Sequence, residues 1–206
     1  INGKQLIGYG GSQSIVDPNS WSPVGKKLLK DVGIHTERFY DHFDRNFFKD
    51  RKLGRGLYFS RDQYGKDYVS DNILGKEIKD NDQEIINAYP ITKASKAALF
   101  KLLSETENYL QGMGSQEDKI NLLRETSYSD FLRQYVNVSE EVVLLYRDMS
   151  RGLWGIGWDA LSALDAYKSK MPGTLGLNLK IAEQNYDRDE PYIFHFPDGN
   201  AGFARS

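Results

Sequence analysis

The sequence predicts a mixed chain, α/β or α+β, that is mostly helical, with short strands near both ends and a long helical middle. Three observations predict it. A glycine-rich turn, Leu6-Ile7-Gly8-Tyr9-Gly10-Gly11-Ser12-Gln13-Ser14, follows a short apolar run near the start. A second, Tyr192-Ile193-Phe194-His195-Phe196-Pro197-Asp198-Gly199-Asn200-Ala201-Gly202, does the same near the end. Between them, capping residues followed by apolar residues at helical spacing recur from Thr92 to Tyr167. Glycine in such turns removes Cβ, so the backbone can take positive φ or lie against a flat or anionic ligand. Two ordinary strand-to-helix turns are the alternative reading.

In order, Lys4 to Ile7 reads as a strand that enters the first turn. Ser20 or Ser22 caps a helix with Pro23 at or near its first position. Val24, Leu28, Leu29 and Val32 give that helix its apolar face, and Gly33 ends it. The stretch from Phe39 to Tyr68 is crowded with aromatic residues and is expected to be core, with a ring or two reaching a pocket. Gly54-Arg55-Gly56 interrupts it, and Leu57-Tyr58-Phe59 reads as a short strand. Asp71 to Tyr89 is polar and reads as a surface connection.

From Thr92 the pattern turns helical, running to Leu110 and ending at Gly112. Ser115-Gln116-Glu117-Asp118 is a capping box for a helix through Leu123, and Ser127 with Asp130 opens another through Tyr135. Ser139-Glu140-Glu141 opens a fourth, with carboxylates at the positive end of the helix dipole. Trp158 to Tyr167 is a fifth, broken by Pro172-Gly173. Tyr192 to Phe196 returns to strand, and Asp198 caps a last helix.

Composition narrows the function classes. The chain has 206 residues, 39% hydrophobic and 13% aromatic, enough for a packed core. A net charge of −2 with no long basic run argues against nucleic acid as a main partner. There is no cysteine, which removes disulfides, thiolate catalysis and cysteine-ligated metal. No apolar stretch approaches the ~20 residues needed to span a bilayer, so no membrane segment is expected. His35 and His42 lack metal-type partners at useful spacing, so no metal site is expected. The chain starts at Ile1-Asn2-Gly3 and stops just after a helix start signal, which reads as an internal piece of a longer protein.

Gly8-Tyr9-Gly10-Gly11-Ser12-Gln13-Ser14 and His195-Phe196-Pro197-Asp198-Gly199-Asn200-Ala201 resemble two segments of FAD-dependent amine oxidoreductases of the spermidine dehydrogenase-like kind. A third likeness runs from Gly152-Leu153-Trp154-Gly155-Ile156-Gly157 through Asp159-Ala160 to Ser162-Ala163-Leu164-Asp165. Order and spacing fit, and the similarity covers nearly the whole chain. The resemblance implies a largely helical substrate domain, residues 17–184, inserted into an FAD/NAD(P)-binding Rossmann-type domain represented by residues 1–16 and 185–206. The family's G-x-G-x-x-G fingerprint is absent here, and the resemblance places it upstream of Ile1, with the last FAD-contacting strand downstream of Ser206. Two positions depart from the family pattern: Trp158, where a small or aliphatic residue is commoner, and Gly202-Phe203 in place of Ser-Ile.

The resemblance also implies the chemistry. An amine, in particular a polyamine such as spermidine, loses hydride from the carbon beside nitrogen to FAD, and water hydrolyses the resulting imine. The electron acceptor stays open. The flavin must be held, the carbon positioned, and the amine neutral when it reacts. Gly8, Gly10 and Gly11 allow close approach, and Ser12 and Gln13 offer hydrogen bonds to ring or ribityl oxygens. Pro197, Gly199 and Asn200 present backbone N–H groups at a helix start, while Asp198 suits a cap, since a carboxylate beside a pyrophosphate is repelled. Trp154, Trp158 and Trp21 are candidates to wall a pocket for a cationic amine, and Asp159, Asp165, Asp41 and Asp44 to hold its distal ammonium. Buried core tryptophan and solvated aspartate are the alternatives. Trp154 stands out because flanking glycines leave its face accessible. His195, directly before the second turn, is a candidate base or flavin neighbour, or else a core histidine. Another flavin-dependent oxidase or desaturase, or a helical binding module without cofactor, remains open.

Overall fold

A computed structural model describes Gly3 and residues 15–75, 78–79, 82–181 and 193–196. The strand expected at Lys4–Ile7, the turn residues from Gly8 to Ser14 and from Pro197 to Gly202, and the Asp198 cap lie outside the described residues. In chain order the first elements are β1 (Ile15–Val16), α1 (Pro23–Asp31), α2 (Phe47–Asp50), β2 (Gly56–Phe59), α3 (Arg61–Tyr64), β3 (Tyr68–Asp71), α4 (Asp82–Ala88) and α5 (Lys93–Ser104). Then come α6 (Gln116–Glu125), α7 (Tyr128–Phe131), α8 (Glu140–Arg147), α9 (Arg151–Trp154), α10 (Ala163–Lys168) and β4 (Ile193–Phe194). The chain is therefore a mixed α and β fold in which helix predominates among the described residues. It divides into two compact units: Ile1–Leu53 with Gln184–Ser206, and Gly54–Glu183.

In the first unit, β1 pairs antiparallel with β4, Ile15 opposite Phe194 and Val16 opposite Ile193. The Ser22 hydroxyl oxygen caps α1 by accepting from Gly25 N–H at 3.3 Å, with Pro23 at the first helical position. Gly33, at φ +75°, ends it in the conformation that glycine favours. The expected apolar face is narrower than its spacing implied: Leu29 is buried, but Val24 is 79% and Leu28 53% exposed. The reason is the size of the core they would join, which is Ile15, Leu29, Ile34, Phe39 and Phe194. Trp21 packs at its edge and donates its indole N–H to the Val16 carbonyl at 2.7 Å, so it braces β1.

The aromatic stretch departs from expectation. Phe39 is core in this unit and Phe59 in the other, but Phe43, Phe47, Phe48 and Tyr58 are exposed. Phe47 and Phe48 sit on the four-residue helix α2, where Arg51 covers the Phe47 ring at 3.9 Å.

In the second unit, β2 and β3 form an antiparallel hairpin with Tyr58 opposite Val69. The described residues of 71–89 are not the surface connection that the polarity of the segment implied. Ile73, Leu74, Ile86 and Tyr89 are buried, and α4 lies within the segment. The Tyr89 hydroxyl donates to the Asp71 carbonyl at 2.9 Å, and burial pushes its pKa up to about 12. A few apolar side chains thus anchor a segment whose average composition is polar.

The next three helices start where their caps predict. Thr92 caps α5, the reciprocal Ser115–Asp118 box caps α6, and Ser127 caps α7. The last runs on as a π-helical turn, Leu132–Val136, to Asn137 at φ 59°. Helix α5 stops at Ser104, short of Leu110. Glu105 takes extended angles, and the Asn108 side chain accepts from Leu110 N–H at 3.1 Å, a local turn that competes with helix. The fifth helix begins at Ala163 rather than Trp158, because Trp158 N–H donates to Arg147 O at 2.7 Å and its carbonyl accepts from Ser129 N–H at 3.1 Å. Tyr128 N–H to Leu161 O, 3.0 Å, and Ala163 N–H to Thr126 O, 2.8 Å, join the starts of α7 and α10.

Glu141 ties the start of α8 to that of α5. One carboxylate oxygen accepts from Thr92 N–H at 3.1 Å, the Thr92 hydroxyl at 2.6 Å and the Ser95 hydroxyl at 2.5 Å. These bonds, the Ser95 hydroxyl foremost, hold its carboxyl below the ordinary glutamate range. A lowered folded pKa gives stability that is complete above the unfolded value and is lost as pH falls through the folded one. Glu141→Gln should therefore melt below the parent at neutral pH, with the difference closing as the pH drops under about 4. Gly176 tests packing separately. A Cβ there would stand 2.5 Å from the Thr106 carbonyl oxygen and closer still to that of Glu107, while Gly54 faces open space. Gly176→Ala should cost about 2 kcal/mol or more and Gly54→Ala less than about 0.5 kcal/mol in urea unfolding.

Candidate functional site

The β1–β4 register bears on the two glycine segments. Because the strands are antiparallel, the start of β1 at Ile15 lies opposite the end of β4 at Phe194. The chain that enters β1 from the first segment and the chain that leaves β4 toward the second therefore attach at one end of the ladder. The candidate flavin contacts themselves, Gly8, Gly10, Gly11, Ser12, Gln13, Pro197, Gly199 and Asn200, lie outside the described residues. His195 is exposed, one residue past β4.

The candidate substrate contacts sit in the second unit, and they differ from one another. Trp154 ends α9 and is 51% exposed. Its N–H donates to Ser150 O at 2.8 Å, and Gly155, at φ 74°, closes the turn with a 3.0 Å bond to Arg151 O. Ser150 is buried, and its hydroxyl donates to Ile156 O at 2.8 Å, fastening the loop from within. The result is a knob with a fixed backbone that exposes Leu153, Trp154 and Ile156. A Cβ at Gly152 or Gly155 would meet no heavy atom within 4 Å, so the surroundings of Trp154 are open.

Trp158, four positions on, is only 3% exposed and crosses the Tyr128 ring at 5.2 Å in the core. Gly157 makes the drop possible. A Cβ there would lie 2.8 Å from the Arg147 carbonyl oxygen and would strike the Asp159 carboxylate. Asp159 is exposed. Of the other aspartates, Asp41 is exposed, Asp44 lies 3.7 Å from Arg51, and Asp165 accepts from the Ser162 hydroxyl at 2.7 Å at the start of α10.

Charge around the knob is arranged about Asp148. Arg147 reaches it with two nitrogens, at 2.9 and 3.2 Å, and Arg151 with one at 2.9 Å. The Arg147 guanidinium holds the Asp148 carboxyl below the usual carboxylate range. The sequence reading singled out Trp154 but missed Ser150, Leu153 and Ile156. Alternation of small and apolar residues in Ser150–Gly157 was the available signal.

Among the described residues no group of His, Cys, Asp and Glu is placed to hold a metal ion, and no helix is long and apolar enough to cross a membrane. No protein-family model and no curated protein matches the chain.

The two tryptophans should respond oppositely to truncation. Trp158→Ala should lose about 3–5 kcal/mol in urea unfolding, the range for a large buried aromatic. Trp154→Ala should change stability by less than about 1 kcal/mol, because its ring is half in water already.

Proposed function

We propose that this chain is part of an FAD-dependent amine oxidoreductase that oxidises a C–N bond of an amine, in particular a polyamine such as spermidine. The reading starts from the three motif likenesses and is supported by one structural observation. The ladder of β1 and β4 brings the attachment points of both glycine segments to the same end. That arrangement fits a flat ring held from two sides by backbone. On this reading residues 1–16 and 185–206 belong to a Rossmann-type cofactor domain and residues 17–184 to the substrate domain, with residues 17–53 of the latter packed in one compact unit with β1 and β4.

Bound FAD would supply the hydride acceptor. Gly8, Gly10 and Gly11 would let the backbone lie against it, Ser12 and Gln13 would donate to its oxygens, and Pro197, Gly199 and Asn200 would approach from the second segment. Trp154 would cover the methylene chain or the ammonium of the amine, and Asp159 would face a distal ammonium. Trp158 would support this surface from the core.

The exposed Leu153–Ile156 knob also suits a helical binding module with no cofactor, and a spectrum separates the two. The longer protein that contains this chain should show a visible flavin band, bleached anaerobically by spermidine but not by simple alcohols or carotenoids. Gly11→Val should lose the flavin while its circular dichroism is retained. A purified protein without the band, or a band indifferent to amines, overturns the proposal.

A further inference from the structure

We propose that the first unit carries a binding site for a phosphoryl group, formed by His35, Arg38 and His42 against Phe39 and Phe196. These residues line a cavity of about 180 Å³. Among the described residues none of its lining side chains is a carboxylate. A second cavity of about 450 Å³ shares Ile34 and His35 with the first and adds Lys26 and Lys30. Its one described carboxylate, Glu37, lies 3.5 Å from His35 Nδ1.

Among the described residues these charges are uncompensated. The side chains of Arg38, Lys26 and Lys30 have no hydrogen-bond or ion-pair partner among the described residues, whereas Arg51, Arg61, Arg133, Arg147 and Arg151 each meet a carboxylate. Lys26 and Lys30 are four apart on α1, a spacing at which like charges repel. His35 and Arg38 bracket the start of a 3-10 turn, Thr36–Asp41, whose three-residue repeat stacks them on one side. Lys26, Lys30 and Arg38, with Glu37 as the one carboxylate among the described lining residues, call for a dianion; Asp41, three residues after Arg38 on the same turn, lines neither cavity. The planar fork of Arg38 matches phosphoryl oxygens in particular. The Phe39 and Phe196 rings, edge to face at 5.4 Å, give the rest of the ligand an apolar floor. The larger cavity falls in the size range of small-ligand sites. The inference does not rest on the flavin reading.

The test titrates the full chain with inorganic phosphate and with ADP by calorimetry at low salt. Both should bind, ADP more tightly. Arg38→Gln should weaken ADP by about tenfold or more, and Arg38→Lys should recover part of that. Arg61→Gln, which removes the partner of Asp67 in the other unit, should change nothing. Arg38 is exposed, so melting curves of its variants should overlay the parent. Two sources of the phosphoryl group are separable. FAD displacing bound phosphate assigns the site to a cofactor phosphate, and undiminished phosphate binding to flavin-loaded protein assigns it to a free organic phosphate. A folded chain that binds neither probe at about 10 mM, or an Arg38→Gln protein that binds ADP like the parent, overturns the proposal. Absence of flavin would leave both titrations intact, so the two failures are distinguishable.

Discussion

The first unit depends on the pairing of β1 with β4. Two strands of two residues each supply few hydrogen bonds, and an isolated ladder of that size is marginal in water. What holds it is the Phe194 ring, which lies 5.2 Å from Phe39, 5.5 Å from Tyr40 and 6.4 Å from Phe43. Burying one phenylalanine contributes about 1.5–3 kcal/mol, and aromatic pairs add to that. The length of chain between the strands is a smaller obstacle than it looks, since closure entropy rises by only about 0.6 kcal/mol per doubling of a loop. Remove the ring and Ile15, Leu29 and Ile34 lose the side chain that makes them a cluster. The same pairing fixes the end of the ladder at which both glycine segments attach.

The helix starts were legible because their signals are local. Ser22, Thr92, Ser115 and Ser127 each accept from the N–H three residues on, a bond written within four positions of sequence, whereas Ser162 makes the same bond at a start that the sequence pattern placed at Trp158. Burial was not legible, because it is decided by distant partners. Ile73 and Leu74 look stranded in a polar run, yet Tyr89 reaches back to Asp71 and closes the core over them. The aromatic stretch misled for a related reason. It straddles the boundary at Leu53–Gly54, so Phe39 and Phe59 serve separate cores while Phe43, Phe47, Phe48 and Tyr58 between them stay exposed.

The candidate site divides along the same line. Trp154 and Trp158 sit in one glycine-rich run, and nothing in that run says which of them is outside. Gly157 decides it, by letting the backbone pass against Arg147 O where a side chain would collide. The glycine segments are a different matter. Their reading rests on motif likeness, to which the structure adds the geometry of the strands beside them.

On the amine-oxidising reading, the charges beside Trp154 bear on the protonation of the substrate. Hydride leaves the carbon only when the adjacent nitrogen has a lone pair to give, so the ammonium must lose its proton first. Asp148 is already held by Arg147 and Arg151, so among the described residues the exposed carboxylate left to an incoming ammonium here is Asp159, whose charge also acts on Arg147. Loss of water favours the neutral amine. In open solvent the effect is small, because water screens charges at the surface. It grows as a ligand covers Trp154, Leu153 and Ile156 and excludes that water. The exposed carboxylate of Asp159 lies past Gly157 in the chain and works the other way, since it favours the ammonium form of a nitrogen bound beside it.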